Sequence, residues 1–166
     1  LSFPFIKEPP KGSATKEESI AKKRVVVTGV GAVSPIGIGK DAFWKALLSG
    51  KCGIGLVTRF DANSYPCRIA AEINEFDPRN FMPPKEVRRS SRITHFSIAS
   101  TLLALEDAKL DTSAEDPYNM GVIFGTAMGP MDIIEKFCSL FYERGLRRVN
   151  PFFLGMINKN STTGAI

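Results

Sequence analysis

The chain contains very little histidine and cysteine. Its 166 residues include one histidine, His95, and three cysteines, Cys52, Cys67 and Cys138, with no C-x-x-C pair. Protein zinc sites are built from sets of such residues, so the sequence predicts no His/Cys metal site. The odd number of cysteines gives no disulfide framework and favours a reducing compartment. We expect each cysteine to be a small buried or half-buried residue rather than a nucleophile.

Long hydrophobic runs are also missing. Residues 1–21 hold three prolines and small polar residues, without an apolar stretch that resembles a signal sequence or a membrane span. We interpret residues 1–21 as a flexible tail or linker and residues 22–166 as one domain, incomplete at its C-terminus. The chain begins with leucine, so we expect the natural N-terminus to lie upstream. The predicted compartment is the cytoplasm, or a plastid or mitochondrion if a targeting segment has been removed.

The charge is unevenly distributed. There are 22 basic and 17 acidic residues, a net charge of +5, and the excess lies in residues 85–92 and 144–148. Two local patches favour a discrete acidic protein partner. Nucleic-acid binding is not predicted, because it would be better supported by basic residues interleaved with stacking aromatics. The alternative is that both patches are ordinary solvated helix ends and loops.

Hydrophobic patterning predicts both strands and helices. The β-branched run at residues 25–27 and the apolar run at residues 120–125 predict two buried strands, and residues 68–73 a further extended segment. Helical spacing predicts helices at residues 40–49, ended by Gly50, at residues 90–108, largely buried, and at residues 131–141. A further helix is predicted after Pro151.

The glycines that follow the first predicted strand suggest a dinucleotide site. A G-x-G-x-x-G pattern counted from Gly29 and Gly31 needs glycine at position 34, where the chain has Ser34 followed by Pro35. Proline favours an extended conformation for the residue before it, so a pyrophosphate-binding helix cannot begin there in the usual way. We therefore predict a tight turn between a strand and a helix, with no cofactor. A nucleotide-binding oxidoreductase domain is the rival interpretation.

Several ordered segments carry a family resemblance. They are Val-Thr-Gly-Val-Gly-Ala-Val-Ser-Pro-Ile-Gly (27–37), Phe-Trp-Lys-Ala-Leu-Leu-Ser-Gly (43–50), Cys-Gly-Ile-Gly (52–55), Arg-Phe-Asp (59–61), Ala-Leu-Glu-Asp-Ala (104–108), Gly-Thr-Ala-Met-Gly (125–129) and Val-Asn-Pro-Phe-Phe (149–153). In this order they resemble the β-ketoacyl-acyl-carrier-protein synthases, most closely the elongating type. The resemblance covers residues 22–160.

The resemblance implies both a fold and a reaction. The fold is the N-terminal half of a thiolase-like layered α/β architecture, usually homodimeric, and this half alone would leave apolar helix faces and a sheet edge uncovered. The reaction is decarboxylative Claisen condensation in fatty-acid or polyketide synthesis, which uses a cysteine, two histidines and a lysine. The family's Thr-Ala-Cys nucleophile elbow comes after the last segment of this chain. We therefore predict no catalytic residue here, and a chain that is inactive alone. The alternative is a non-catalytic subunit that dimerises with a complete synthase.

The resemblance also assigns site residues. Met128 takes the place of a residue that lines the acyl-chain pocket near the dimer interface, unless it is a core-filling methionine. Lys85, Arg147 and Arg148 resemble the basic residues that dock the acyl carrier protein. The stretch at residues 155–164 departs from the family pattern. Asn160 and Gly164 keep the separation expected in the family, but the stretch before them is shorter and carries Lys159.

Overall fold

The computed structural model describes residues 24–158 and 160–166. These residues form two short antiparallel hairpins and a series of helices. In chain order the elements are β1 (Val33–Ser34), β2 (Gly37–Ile38), α1 (Lys40–Leu48), β3 (Ile54–Leu56), β4 (Ile69–Ala71), α2 (Pro84–Val87), α3 (Arg92–Ala108), α4 (Met131–Arg144), α5 (Phe153–Ile157) and α6 (Ser161–Ala165). Among the helices described, none combines the length and the apolar character that crossing a membrane requires.

Helix α3 is the central element. It begins after Ser91, whose side chain accepts a hydrogen bond from the backbone N–H of Thr94, and it ends at Lys109 in a left-handed conformation. The helix is confirmed, but its predicted burial is only partial. Ala99 is fully buried, whereas Leu102 is 43% exposed. The buried positions of α3 carry small side chains, which lets neighbouring segments approach its backbone closely.

Three hydroxyl groups join α3 to α6. Ser91 Oγ lies 3.0 Å from Thr94 Oγ1, which lies 3.2 Å from Thr162 Oγ1. All three residues are buried, with relative exposures of 1%, 1% and 3%. A buried hydroxyl without a partner is costly, so these groups stabilise the fold only while they remain together. The contact fixes the C-terminal helix against the start of α3.

The two hairpins confirm some local predictions. In the first, Val33 pairs with Ile38; in the second, Ile54 pairs with Ala71 inside the segment predicted to be extended. Helix α1 is confirmed as well, and Gly50 follows it at φ 67°, a conformation that favours glycine.

The two predicted buried strands are wrong as stated. Residues 24–32 and 120–125 form no β-ladder in the described part of the chain, and no backbone hydrogen bond there joins one segment to the other. Val25 is 92% exposed and Ile123 fully exposed. Both segments lie over the same side of α3, separated by a cleft of about 420 Å³. The apolar runs are present, but a strand exists only when a neighbouring backbone pairs with it.

Helices α4 and α5 form a second packing unit. The prediction of α4 is confirmed, and α5 begins two residues after Pro151. The rings of Phe137 and Phe153 stack with centroids 3.7 Å apart and an interplanar angle of 13°. No residue of α4 is buried. This helix is therefore covered on one side only.

Candidate functional site

Gly29 and Gly31, in the segment after the first apolar run, pack against α3. A Cβ atom on Gly31 would lie 1.9 Å from the carbonyl oxygen of Ser100, and one on Gly29 would lie 2.3 Å from that of Ala104. Residues two apart face one side of an extended segment, and residues four apart share one face of a helix. The two glycines thus let the segment cross α3 in direct backbone contact. The role that the structure supports for them is close packing.

An ion pair also fixes this segment, near the C-terminal end of α3. The carboxylate of Asp107 accepts hydrogen bonds from the ammonium group of Lys40 and, at 3.0 Å, from the backbone N–H of Val30. The hydrogen bond from Lys40 is the main cause that lowers the pKa of Asp107, and it raises the pKa of Lys40. Asp107 therefore ties the glycine segment and the start of α1 to α3.

Met128 lies in the loop that follows residues 120–125. The backbone N–H of Gly129 donates to Thr126 Oγ1 at 3.1 Å, which closes a tight turn with Met128 at its tip. Gly129 has φ 69°, and the side chain of Met128 is 67% exposed. The thioether is therefore presented at the surface of the chain, in a turn with a defined backbone, and does not fill its core.

The three predicted carrier-docking residues are all exposed. Lys85 lies on α2, and Arg147 and Arg148 lie on a 3₁₀ turn, Leu146–Arg148, that follows α4. Pro83 and Pro84 begin α2, where proline suits the first turn of a helix. Gly145 has φ 73°, which turns the chain out of α4 and into the 3₁₀ turn.

Contacts between their neighbours bring these two basic segments to one side of the molecule. The guanidinium carbon of Arg89, just after α2, lies 4.6 Å from the ring centroid of Phe152. Arg88 and Val149 line the same cavity. Segments about sixty residues apart in sequence therefore meet between α2 and α5. The sequence showed both clusters but assigned no role to Arg88 or Arg89, because periodicity alone does not reveal which loops meet.

His95 connects α3 to the end of α2. Its Nε2 lies 3.2 Å from the carbonyl oxygen of Val87 and 3.1 Å from Ser90 Oγ, and Ser90 itself donates to the carbonyl of Glu86. Burial is the main cause that lowers the pKa of His95. The neutral ring therefore holds α2 against α3.

Comparison with known protein families identifies the chain. The model of the β-ketoacyl synthase N-terminal domain matches residues 22–166. The chain belongs to this family. It is 37% identical over 146 residues to 3-oxoacyl-[acyl-carrier-protein] synthase 2 of Synechocystis sp., covering 88% of this chain and 35% of that protein. It is 38% identical over 145 residues to the protein of the same name in Coxiella burnetii, covering 87% and 35%. The chain thus spans about a third of the length of these relatives.

Solved structures show the same fold. A β-ketoacyl synthase from Burkholderia phymatum superposes with a TM-score of 0.71 at 24% identity, over 86% of this chain and 36% of that one. A type II polyketide ketosynthase, solved with its acyl carrier protein, gives 0.70 at 22% identity, over 86% and 37%. The ishigamide ketosynthase/chain length factor gives 0.68 at 24% identity, over 82% and 34%. The prediction of a thiolase-like α/β fold is confirmed.

The cysteines of this β-ketoacyl synthase domain differ from expectation. All three were predicted to be buried or half-buried, and all three are exposed. Cys52 and Cys67 flank the strands of the second hairpin, and Cys138 lies on the open side of α4. Their burial was predicted wrongly because local spacing does not show which side of an element is covered. Among the described residues, no group of three or more His, Cys, Asp or Glu side chains is close enough to hold a metal ion.

Proposed function

We propose that the chain is the N-terminal part of a 3-oxoacyl-[acyl-carrier-protein] synthase. Such an enzyme elongates an acyl chain by decarboxylative Claisen condensation with malonyl carrier, in fatty-acid or polyketide synthesis. The observation that carries the proposal is the family match over residues 22–166, which is supported by the 37% identity to a synthase. The role of this part is to provide scaffold, carrier dock and acyl-pocket wall. The proposed compartment is the cytoplasm.

The nucleophile does not belong to these residues. The sequence has no Thr-Ala-Cys elbow and one histidine, fewer than the reaction uses. The described environments of the three cysteines show no adjacent base, and a thiol needs activation to react efficiently. Incubation with acyl carrier should leave the chain unmodified. Mass-spectrometric detection of a saturable, carrier-dependent acyl group on Cys52, Cys67 or Cys138 would refute this assignment.

The basic surface formed by Lys85, Arg147 and Arg148 is proposed to dock the acyl carrier protein. Its support is the exposure of all three residues and the contact between their segments. Cations of this kind act mainly by steering an acidic partner, so association should slow as salt is added. The structural neighbour solved with its acyl carrier protein gives a precedent for such a partner.

Charge reversal tests this dock. The double variant Arg147→Glu/Arg148→Glu should bind an acidic carrier protein at least about tenfold more weakly at low salt, and Lys85→Glu should weaken binding less. Lys45→Glu is the control, because it reverses one charge in the same way at a position on α1, outside the proposed dock. Equal binding by the control and the docking variants, measured by biolayer interferometry across a salt series, would contradict the proposal.

Met128 is proposed to line the acyl-chain pocket. Its exposed position on a tight turn leaves the unbranched thioether free to contact a ligand, and methionine adapts its shape easily. In a condensing polypeptide that contains this sequence, Met128→Trp should shorten the longest acyl chain accepted. An unchanged product-length distribution would remove Met128 from the pocket.

A second proposal is that the chain acts as a non-catalytic interaction subunit that dimerises with a complete synthase. It is favoured by one structural neighbour, the ishigamide ketosynthase/chain length factor, in which a ketosynthase is paired with a chain length factor. The two functions predict different complexes. Homodimers of a polypeptide that includes this sequence support the synthase, whereas stable mixed dimers with a separate, active synthase support the interaction subunit.

A further inference from the structure

A separate apolar cavity lies between α4, α5 and the end of α2. It has a volume of about 270 Å³, and almost all of its wall is apolar. The apolar wall residues come from α4, the turn before α5 and α5 itself, and they are Ile133, Phe137, Leu140, Val149, Phe153 and Met156. Neither Met128 nor the three residues of the proposed dock line this cavity.

The sequence builds this cavity from helical spacing. Ile133, Phe137 and Leu140 lie four and three residues apart and therefore share one face of α4. The stacked pair of Phe137 and Phe153 holds that face against α5. Met156 forms part of the wall and is itself buried, and Asn150 Nδ2 lies 3.9 Å from its sulfur atom. Neighbouring elements thus hold the walls in place.

The charged residues that line the cavity are both cations. Arg88 and Lys136 are exposed and belong to its lining, which includes no carboxylate. Neither cation lies within 4.0 Å of a carboxylate among residues 24–158 and 160–166. Lys136 also lines a neighbouring surface groove together with Asp132, Glu135 and Glu143 of α4, whereas Arg88 does not. In the described part of the chain, two exposed cations without an ion-pair partner therefore belong to the lining of an apolar cavity.

We propose that this cavity binds a small amphipathic carboxylate, with its apolar chain inside and its carboxylate between Arg88 and Lys136. Apolar walls favour transfer of a hydrocarbon chain from water, and a guanidinium group can hold a carboxylate through two parallel hydrogen bonds. The volume is just below the roughly 300–1,000 Å³ typical of drug-sized ligands, which selects a short chain. Charge complementarity is what favours an anion over an apolar side chain from a second copy.

Calorimetric titration of the chain with octanoate tests the proposal. We expect saturable binding that octanamide, which has the same chain and no charge, reproduces at least about tenfold more weakly. The double variant Arg88→Gln/Lys136→Gln should weaken octanoate binding by about five- to tenfold, and Val149→Phe should abolish it by filling the cavity. Lys45→Gln, an exposed lysine on α1, is the matched control and should bind as the parent does.

Several results would overturn the proposal. These are equal binding of octanoate and octanamide, unchanged binding by the double variant, or no saturable binding to a chain that retains its cooperative thermal transition. Sedimentation provides an independent readout. If a second copy occupies the cavity, the chain dimerises, Val149→Phe disrupts the dimer and octanoate does not compete, which would refute the proposed ligand. The docking assay with carrier protein is separate, so failure of one proposal is distinguishable from failure of the other.

Discussion

Helices α3 and α4 have 17 and 14 residues, yet they pack in different ways. The glycine segment crosses α3 on one side, and α6 contacts its first turn through buried hydroxyls. Helix α4 packs on α5 through stacked aromatic rings and buries none of its own residues completely. Small and polar side chains thus occur on α3, which other segments cover on more than one side. Large aromatic side chains make the contact of α4, which is covered on one side only.

The largest expected effect on stability comes from the place where the segment with Gly29 and Gly31 crosses α3. Gly31→Ala places a methyl group in the space of the Ser100 carbonyl oxygen, so backbone must move, and we expect a loss of about 3 kcal/mol in unfolding free energy. Gly55→Ala is the matched control, because its Cβ would meet nothing within 4 Å. Urea unfolding measures both. Similar stabilities for the two variants would show that the glycine segment does not pack on α3 as described.

The aromatic contact of α4 should matter somewhat less. Phe137→Ala removes the ring that stacks on Phe153 and should reduce the unfolding free energy by about 2 kcal/mol, less than a fully buried phenylalanine would. Tyr142→Ala, at a position 84% exposed, is the control and should change stability by less than about 0.5 kcal/mol. Equal losses of unfolding free energy in the two variants would mean that the stacking of Phe137 on Phe153 does not stabilise the packing of α4 on α5.

The hydroxyl contact between α3 and α6 is a smaller term. Thr162→Val keeps the shape of the side chain and removes one of the three buried hydroxyl groups that join α3 to α6. We therefore expect the unfolding free energy to fall by about 1 kcal/mol. Thr163→Val is the control, since the Thr163 hydroxyl donates only to the nearby carbonyl of Asn160. Differential scanning calorimetry distinguishes them. A greater loss for Thr163→Val would contradict the anchoring role of Thr162.

The link between α2 and α3 predicts a pH dependence. Burial lowers the pKa of His95 from its ordinary value of 6.5 in the folded state, with a lesser effect from Arg92, while Asp132 and the hydrogen bonds to Val87 and Ser90 oppose the shift. The unfolded chain therefore binds the proton first as the pH falls. The contribution of neutral His95 is complete above pH 6.5 and is lost as the pH falls through the lowered pKa of the folded state.

His95→Gln isolates this contribution. The variant has no titrating group at this position, so the part of the stability loss that begins below about pH 6.5 should disappear, while acid unfolding at lower pH remains. Thermal melts between pH 5 and pH 8 provide the measurement. A parent and a variant with parallel pH profiles would show that His95 is not half-buried in the folded chain.

Local pattern was sufficient for the helices and for the family. Helices α1, α3 and α4 follow from 3.6-residue periodicity and from their end residues, since both depend on neighbours in the sequence. The two strand predictions failed for a different reason. An apolar run at residues 25–27 or 120–125 shows a tendency to pair, but pairing requires another backbone at hydrogen-bonding distance. The exposure of the cysteines was likewise misjudged, because burial depends on what covers an element.

The sequence by itself determined the family through its ordered motifs, and the resemblance to that family implied the α/β class. It also determined the positions of the main helices and the two basic clusters, because these are properties of residue type and spacing. Only the tertiary structure decided that Gly29 and Gly31 serve the crossing of α3, that Arg89 and Phe152 bring the basic segments together, and that α4 and α5 form a cavity whose lining includes two cations. These are contacts between residues far apart in the chain, and they depend on how helices pack rather than on local pattern.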